Sequence, residues 1–522
     1  MSWKEEADEI IRRRAMAEEM GGAERVTKHR ERGYFTIRDR IAGTIDPGSF
    51  QEVGKLSGTG SYDEDGNLIN VKPAPYVMGL GRIGGRLVAI GGEDSTIGGG
   101  TNWGDIRRKG GQGGFVDDLA EQYRLPLVRF IDGFGGSAAT GKKKGYTVLP
   151  GHAVHPRDNS AILLGSVPVV SAVMGVAAGA PAGKTLMSHF SIMIKGKSQI
   201  FAGGPPLVER GTGETVTREE LGGWKIAVEK AGVIHNVAKD EEDCFRQIKQ
   251  FLSYMPQNVW EMPPIVRTDD SVDRREEELL DIVPRDRRKP YDMHKLIRLV
   301  MDKDSTFEIQ PRYGRAAITT LARLNGYPVG IIANNPMYGG VVDVKSGRKQ
   351  AHFIDLCDCF HIPLLFLIDV PGYAIGTVAE EDGTLLEGMR QLHARLQSTV
   401  PQMSLVIRRC FGMAGGTALD KNGLDFKIAW PSAEWGSLPI EGGVTAAFRR
   451  EIAEAPDPEA RRKELEDEIR SYANPFQTAE AFSVEDIIDP RETRQYLCTF
   501  YEAMQARLKE QIGQKAKFGV RP

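Results

Sequence analysis

Continuous apolar runs alternate with amphipathic stretches along most of the chain, a pattern typical of buried parallel strands joined by helices. In the first half such runs cover residues 125–131 and 166–174, and in the second half they cover residues 362–368 and 400–407. Two shorter apolar runs flank Gly84-Gly85, where the paired glycines predict a tight turn between two strands. The chain is therefore predicted to fold as α/β, with βαβ-type domains.

The second half of the chain repeats landmarks of the first half in the same order. Four pairs of landmark residues lie 233 to 241 positions apart: Gly85 and Gly326, Asp132 and Asp369, Pro168 and Pro401, and Phe190 and Phe426. Such an ordered match predicts the duplication of one α/β domain. A polar, proline-containing segment separates the copies, so the predicted limits are 1–260 for the N-terminal domain, 261–290 for the linker and 291–522 for the C-terminal domain.

Each predicted copy contains a turn of small residues directly after a buried strand. The turn is Gly175–Ala180 in the first copy and Cys410–Gly416 in the second. Small residues let a ligand approach the backbone N–H groups, and the start of the following helix favours negative charge. Tight packing of a helix on a strand also demands small residues, but two turns at repeat-related positions favour a pair of anion-stabilising sites. Two further glycine turns follow the landmark aspartates, Gly135-Gly136 in the first copy and Gly372-Tyr373 in the second.

The composition excludes several classes of function. Of the 522 residues, 41% are hydrophobic and 27% are charged, and the net charge of −3 gives no reason to expect nucleic acid or an anionic membrane as a partner. Five scattered cysteines without zinc spacing predict neither a disulfide framework nor a structural metal. The charged N-terminus does not resemble a signal peptide, and no long apolar run occurs, so the predicted location is cytoplasmic.

Side-chain catalysis finds little support in the sequence. His152 and His155 share one loop but have no third metal ligand beside them, so loop polarity is the favoured interpretation. No GxSxG motif is present, which removes the usual signal of a serine hydrolase. Cys410 could be a nucleophile, although a cysteine at a buried strand end is more often inert. The lysines 142–144 lie in a glycine-flanked loop that suits a phosphorylated ligand and solvent equally well.

Six separate motifs together identify a resemblance that covers nearly the full length of the chain. They are Asp46–Phe50, Gly175–Phe190, Glu219–Gly223, Ile368–Tyr373, Ala429–Glu434 and Ile487–Arg494. In these motifs the chain resembles the carboxyltransferase β subunits of biotin-dependent acyl-CoA carboxylases, of the propionyl-CoA and methylcrotonyl-CoA carboxylase kind. Any one motif alone would be weak, whereas the set is highly specific.

The resemblance implies two tandem crotonase-like domains, each a ββα-superhelix. The N-terminal domain is expected to bind acyl-CoA, and the C-terminal domain of another subunit to bind carboxybiotin, from which CO2 passes to the α or vinylogous carbon of the acyl group. Biotin is expected on a separate carrier protein or subunit, because the chain has no Ala-Met-Lys-Met attachment site. Coenzyme A is expected as part of the substrate, biotin carboxylase as a partner subunit, and a homo-hexamer (a trimer of dimers) as the core.

The same resemblance assigns roles to backbone groups and requires no acid or base side chain. The expected catalytic residues are Gly179 and Ala180, which would stabilise the thioester enolate, and Met413 and Ala414, which would hold the biotin ureido oxygen. The other residues expected to bind substrate are Gly135, Gly136, Gly372, Tyr373, Gly412, Gly415 and Gly416. No metal is expected.

The chain departs from the family pattern in both copies. The turn at 133–138 has no arginine, and Met413 occupies a position where the family often has glycine. Gly416 lies where the family has a substrate-selecting aspartate or isoleucine, which suggests an unusual or longer acyl group. Two alternatives remain open: a biotin-dependent acyl-CoA decarboxylase subunit, and a non-catalytic CoA-binding scaffold subunit. The intact small-residue turns in both halves count against the scaffold.

Overall fold

The computed structural model of the chain describes residues 2–100, 111–135, 145–147, 156–419, 425–515 and 519–521. Two compact units are present, one formed by Met1–Glu261 with Gly513–Pro522 and the other by Met262–Ile512. The polar segment 262–290 is therefore part of the second unit. Which substrate each unit binds stays a prediction.

The end of the chain returns to the first unit. There the N–H of Gly513 donates to the carbonyl of Val259 at 2.7 Å, and the N–H of Val520 donates to the carbonyl of Leu164 at 3.2 Å. Val520 is buried, so this contact is part of the packed interior of the first unit.

The described residues of the first unit form ten strands and nine α-helices. The strands are β1 (Gln51–Val53), β2 (Gly58–Tyr62), β3 (Leu68–Pro73), β4 (Tyr76–Ile83), β5 (Arg86–Glu93), β6 (Leu127–Phe134), β7 (Val169–Ala178), β8 (Phe190–Ile194), β9 (Gln199–Phe201) and β10 (Asn236–Ala238). The helices are α1 (Lys4–Glu18), α2 (Ala23–Glu31), α3 (Ile37–Thr44), α4 (Gly111–Tyr123), α5 (Pro156–Leu163), α6 (Ala180–Leu186), α7 (Pro205–Thr212), α8 (Arg218–Gly222) and α9 (Glu241–Tyr254).

One mixed sheet organises the first unit. Its strand order is β1-β4-β5-β6-β7-β8-β10, and β9 pairs with the last part of β7. The strands β1, β4 and β5 are antiparallel, whereas the strands from β5 to β10 run parallel. The strands β6, β7 and β8 are buried along almost their whole length, as expected of a parallel sheet covered on both faces.

The second unit has a corresponding set of elements in its described residues. Its strands are β11 (Phe307–Glu308), β12 (Ala317–Leu324), β13 (Tyr327–Asn334), β14 (Leu364–Val370), β15 (Gln402–Phe411), β16 (Asp425–Ala429), β17 (Glu434–Gly436) and β18 (Asp486–Ile487). Its helices are α10 (Met293–Val300), α11 (Val344–Cys359), α12 (Thr377–Glu381), α13 (Thr384–Gln397), α14 (Gly412–Leu419), α15 (Ile440–Ala447), α16 (Arg449–Glu454), α17 (Pro458–Tyr472), α18 (Pro475–Glu480), α19 (Thr493–Ala503) and α20 (Gln505–Glu510).

The second sheet repeats the first strand for strand. Its order is β11-β12-β13-β14-β15-β16-β18, and β17 pairs with β15 as β9 pairs with β7. The register agrees as well, because Leu127 lies opposite Val169 in the first sheet and Leu364 lies opposite Gln402 in the second. The predicted α/β fold class and the predicted duplication of one domain are confirmed.

A buried arginine attaches the polar segment 262–290 to the second unit. The guanidinium of Arg494 donates to the carbonyl of Ser271 at 2.7 Å and to the carbonyl of Val300 at 3.0 Å. It also pairs with the carboxylate of Asp302 at 2.7 Å, which balances its charge in the interior. These contacts place residues near the middle of the segment on the core of the second unit, beside the C-terminal end of α10.

One pair of equivalent positions shows how packing constrains the repeat. Ala89 in β5 and Gly330 in β13 both donate their N–H to a proline carbonyl at 2.9 Å, that of Pro126 and of Pro363 respectively. A Cβ on Gly330 would overlap the Sγ of Cys357. The buried thiol therefore takes the room that a methyl group has in the first unit.

Replacing Gly330 with alanine is expected to destabilise the protein, because the added methyl group must displace the thiol of Cys357. Overpacking of this kind costs about 1–3 kcal/mol, which lowers the midpoint of unfolding in urea. Gly442→Ala is the matched control, because it adds a methyl group in a helix where no heavy atom lies within 4 Å, and its midpoint should stay or rise. A Gly330→Ala midpoint equal to that of the wild type would contradict this packing.

Candidate active site

The first small-residue turn joins β7 to α6. Gly179 adopts φ 69° and ψ −124°, a conformation that residues with a side chain rarely adopt. The helix starts at Ala180 and has Pro181 in its first turn, where N–H groups have no partner within the helix. Gly179 and Ala180 are both exposed. The turn therefore presents its backbone to solvent at the carboxyl end of a buried strand.

The N–H groups of this turn differ in their availability. The N–H of Gly179 faces the carbonyl of Phe201 at 3.4 Å, and the N–H of Gly183 donates to the carbonyl of Gly179 at 3.0 Å. The N–H of Ala180 has no acceptor among the residues that the structure describes. Since Pro181 has no N–H, Ala180 is the first residue of α6 that can donate to a ligand.

Gly135 packs against the same turn. Its own N–H donates to the carbonyl of Ala178 at 2.9 Å, so this group is not available to an oxyanion. A Cβ at Gly135 would lie 2.7 Å from the backbone nitrogen of Ala180. The position therefore contributes space, because only a residue without a side chain leaves the Ala180 donor undisturbed.

The second turn joins β15 to α14 in the same way. Gly412 has φ 60° and occupies the place of Gly179 in the repeat. Met413 then corresponds to Ala180, and its side chain is 55% exposed, whereas Ala414 is buried. Because position 414 is not proline, the first turn of α14 keeps the N–H groups of both residues that were predicted to hold the biotin oxygen.

Gly415 and Gly416 add no side-chain volume to the start of α14. A Cβ on Gly415 would lie 2.9 Å from both the carbonyl carbon and the Sγ of Cys410. Cys410 is buried and fills the space beneath the helix, as expected of an inert cysteine at a strand end. Gly416 is partly exposed. In the first turn of α14, Met413 is therefore the residue that has an exposed side chain.

Tyr373 is hydrogen-bonded to the helix that follows the second turn. Its hydroxyl lies 2.9 Å from the Oγ of Thr417, which also lies 2.9 Å from the carbonyl of Met413. The Tyr373 ring lies so close to Gly388 that a Cβ there would overlap it. Burial raises the pKa of Tyr373, so the phenol stays neutral. The neighbouring Gly372 has φ 150°, and its carbonyl accepts a hydrogen bond from the N–H of Val342 at 3.1 Å. The contact with Thr417 of α14 is therefore made by Tyr373.

Each sheet carries a buried aspartate near its turn, which the sequence revealed only as a landmark of the repeat. Asp369 pairs with Arg408 at 2.9 Å and with Arg409 at 2.6 Å, whereas Asp132 pairs with Arg40 at 3.1 Å. Arg408 and Arg409 directly precede the second turn in the sequence, so their position could have indicated a role beside that turn. Arg40 lies 92 residues from Asp132, and no sequence pattern connects them.

Glu93 and Asn334 end the equivalent strands β5 and β13 and accept equivalent hydrogen bonds. The N–H of Asp132 donates to Glu93 at 3.1 Å, and the N–H of Asp369 donates to Asn334 at 3.2 Å. The Asn334 amide also donates to the carbonyl of Gly340 at 3.1 Å. Burial raises the pKa of Glu93 to about 7. A protonated carboxyl group can replace an amide in such a network, because it both accepts and donates.

Some predicted features fall outside the described part of the chain. Gly136, the lysines 142–144, and the pair His152 and His155 are among them. Within the described ranges, no group of three or more His, Cys, Asp or Glu side chains could hold a metal ion. None of the described helices is both long and apolar enough to cross a membrane. The cytoplasmic location stays a prediction.

Two α/β units of one topology, each with a small-residue turn at the same strand end, define a duplicated crotonase-like protein. The sequence profile of the carboxyl transferase domain matches residues 28–518. The chain belongs to the carboxyl transferase domain family. The predicted enzyme class, the carboxyltransferase component of biotin-dependent acyl-CoA carboxylases, is confirmed.

Proteins similar to this chain are named for reactions of carboxylated CoA esters. The chain is 33% identical to a propionyl-CoA carboxylase, carboxyltransferase subunit, of Haloferax mediterranei over 99% of both chains. It is 32% identical to a methylmalonyl-CoA decarboxylase subunit alpha of Propionigenium modestum over 93% of both chains. A solved structure of transcarboxylase 12S, with methylmalonyl-coenzyme A and methylmalonic acid bound, matches with a TM-score of 0.85 and 31% identity, over 97% of this chain and 96% of that one. The predicted crotonase-like fold is confirmed.

Glu93→Gln should remove a pH dependence of stability. The pKa of this carboxyl is raised from 4.5 to about 7, so Glu93 stabilises the folded protein fully at low pH and loses this contribution as the pH rises through about 7. Glutamine stays neutral and can donate as Asn334 does. The thermal midpoint of the variant should therefore exceed that of the wild type at about pH 8 and differ little at about pH 5.

Glu468→Gln serves as the control, because Glu468 lies exposed on α17. Its effect on the thermal midpoint should be small and the same at both pH values. If Glu93→Gln and the wild type unfold at the same temperature at the higher pH, the buried carboxyl does not have the role described.

Proposed function

We propose that the chain transfers CO2 from carboxybiotin, held on a separate carrier protein, to the α or vinylogous carbon of an acyl-CoA. The pair of equivalent turns in a chain of the carboxyl transferase family supports this proposal. Each turn contains a glycine with positive φ, Gly179 or Gly412, at the carboxyl end of a buried strand. Such a transfer develops negative charge on two oxygens, one in the thioester and one in the biotin ureido group, and each charge needs its own donors.

In the first unit, the N–H of Ala180 donates to the thioester oxygen of the acyl-CoA. Loss of the α-proton moves negative charge onto that oxygen, and one aimed donor in a closed site is worth about 2.7–4 kcal/mol in the transition state. Carboxybiotin, when bound, would supply CO2 as its N–carboxyl bond breaks, and its ureido group would accept the α-proton. The α-carbon then bonds to the CO2. No acid or base side chain is required for this sequence.

In the second unit, the N–H groups of Met413 and Ala414 hold the biotin ureido oxygen. Negative charge would develop on that oxygen as the N–carboxyl bond breaks, so these two donors would favour release of CO2. The nearby positive charges of Arg408 and Arg409 are both paired with Asp369. Backbone donors are therefore left as the groups that respond to the developing charge.

The reverse reaction is a second candidate, because one relative is named a methylmalonyl-CoA decarboxylase subunit. The same two turns serve either direction, since one transition state is shared by both. Incubating the protein with a malonyl-type CoA ester and free biotin tests the transfer. Formation of carboxybiotin supports the proposal, and the ratio of the rates in the two directions identifies the favoured one. Binding of the CoA ester without transfer in either direction would favour the scaffold subunit.

We also propose that six copies of the chain form a core, a trimer of dimers, to which biotin carboxylase and biotin carrier subunits attach. The relative transcarboxylase 12S, described as a hexamer in a multienzyme core, supports this arrangement. Light scattering should give a mass of six chains of 57.5 kDa. A biotinylated polypeptide that co-purifies with the chain would identify the carrier.

Gly135→Ala should slow the transfer strongly. The added methyl group would lie 2.7 Å from the nitrogen of Ala180, so the donor must move. A misplacement of about 1 Å at such a site costs about 100-fold in rate, which the assay with a malonyl-type CoA ester and free biotin can measure. Gly211→Ala is the control on α7, where no heavy atom lies within 4 Å, and it should leave the rate unchanged. A normal rate for Gly135→Ala would exclude Ala180 as the donor.

We propose that the acyl group is unusual or longer than propionyl, because Gly416 lies where the family has a substrate-selecting aspartate or isoleucine. Carboxylation rates across a series of acyl-CoAs of increasing chain length should therefore extend beyond propionyl-CoA. Gly416→Asp should restrict the series to short acyl groups, whereas Gly442→Asp on α15 should not. A strict preference of the wild type for acetyl-CoA or propionyl-CoA would refute this part of the proposal.

A further inference from the structure

The two helices that follow the turns are short. The helix α6 has seven residues and α14 has eight. Helices of this length are marginal on their own, and the carbonyls of their last turn need partners outside the helix. The direction in which the first-turn N–H groups point therefore depends on the groups that hold the other end of each helix.

A buried arginine on β6 holds the end of α6. Nη1 of Arg129 donates to the carbonyls of Lys184 and Met187, at 3.3 Å each. Its Nε and Nη2 lie 3.1 and 3.0 Å from Oδ1 of Asp117, and Nη2 lies 3.1 Å from Oγ of Ser160. These contacts use every N–H of the guanidinium, which is the complete set that an arginine side chain can offer.

A second buried arginine, on α13, holds the end of α14. Nη1 of Arg395 donates to the carbonyl of Thr417 at 2.7 Å, and its Nε donates to Oε1 of Gln402 at 2.7 Å. The guanidinium carbon lies 4.3 Å from the centre of the Phe366 ring. Both arginines are almost completely inaccessible to solvent. A cation at this end of a helix also interacts favourably with the helix dipole.

The two arginines contact the same carbonyl position of the repeat but come from different elements. Lys184 is the sixth residue after the end of β7, and Thr417 is the sixth residue after the end of β15. The counterpart of Arg129 in the second unit is Phe366, on which Arg395 stacks. The equivalent strand position thus holds an arginine in the first unit and a phenylalanine in the second. In both units, however, a guanidinium contacts the same backbone carbonyl position. Retention of the contact without retention of the residue indicates that the contact itself matters.

We infer that Arg129 and Arg395 are positioning residues, each of which sets the direction of the N–H donors of one turn. Arg129 acts through α6 on the acyl thioester, and Arg395 acts through α14 on the biotin ureido group. This inference rests on the proposed function. Its consequence is that a change in either arginine impairs the use of one substrate and not of the other.

The test uses Arg129→Lys and Arg395→Lys in the transfer from a malonyl-type CoA ester to free biotin. Lysine keeps the charge but cannot form the planar fork of contacts, so the helix end loosens. In Arg129→Lys the KM for the CoA ester should rise about fivefold or more, and in Arg395→Lys the KM for biotin should do so. The KM for the other substrate should stay within about twofold of the wild-type value in each case.

Two buried or half-buried arginines that cap other helices are the matched controls. Arg86 donates to the carbonyls of Leu252 and Met255 at the end of α9, and Arg494 donates to the carbonyl of Val300 at the end of α10. Arg86→Lys and Arg494→Lys should leave both KM values unchanged. Equal rises of both KM values in the test variants, or the same rise in the controls, would overturn the inference, because general destabilisation does not distinguish the substrates.

Milder variants keep the inference testable if a lysine variant does not fold. Ser160→Ala removes one partner of Arg129, and Ser404→Ala removes one partner of Arg395, whose Nη2 lies 3.5 Å from Oγ of Ser404. The same substrate-specific rises are expected, at smaller size. If the wild type performs no transfer, the proposed function fails. Calorimetry then decides the inference separately: weaker binding of the CoA ester in the Arg129 variants alone supports it, and equal binding in both sets overturns it.

Discussion

A backbone conformation that glycine adopts far more easily than other residues is the constraint on which both turns depend. Gly179 and Gly412 have positive φ, so a helix can start directly where a buried parallel strand ends. The residues around each turn fit this conformation. Gly135 leaves room for the first donor, Cys410 fills the space under the second helix, and Tyr373 supports that helix through its hydroxyl. The chemistry of the sites is thus a property of the main chain, and the side chains keep it in place.

Much of the fold was predictable because parallel strands covered on both faces have continuous apolar sequences. The apolar runs 125–131 and 400–407 overlap β6 and β15, and the paired glycines Gly84-Gly85 lie in the turn between β4 and β5. The duplication was visible because four landmarks kept their order and spacing. The family came from the set of motifs, since neither periodicity nor composition identifies a reaction.

The groups that hold the turns were not predictable, because their partners are distant in the chain. Arg129 stands inside an apolar run, where nothing in the sequence shows that a helix end will need its guanidinium. The sequence did not indicate a role for Glu93 either, because the raised pKa of its carboxyl depends on burial beside Asp132. The sequence also did not reveal how Gly135 contributes to the site. Its N–H donates to another residue of the protein, and its lack of a side chain leaves room for the N–H of Ala180.

The return of the last residues to the first unit has a consequence for biosynthesis. Gly513 and Val520 form backbone hydrogen bonds to Val259 and Leu164 of the first unit, and Val520 is buried there. Domains generally begin to fold as they leave the ribosome, N-terminal part first. Here the first domain cannot complete its packing until the second domain has been translated, because residues that follow the second domain cover part of its surface. The order of synthesis and the order of completion are therefore opposite in this chain.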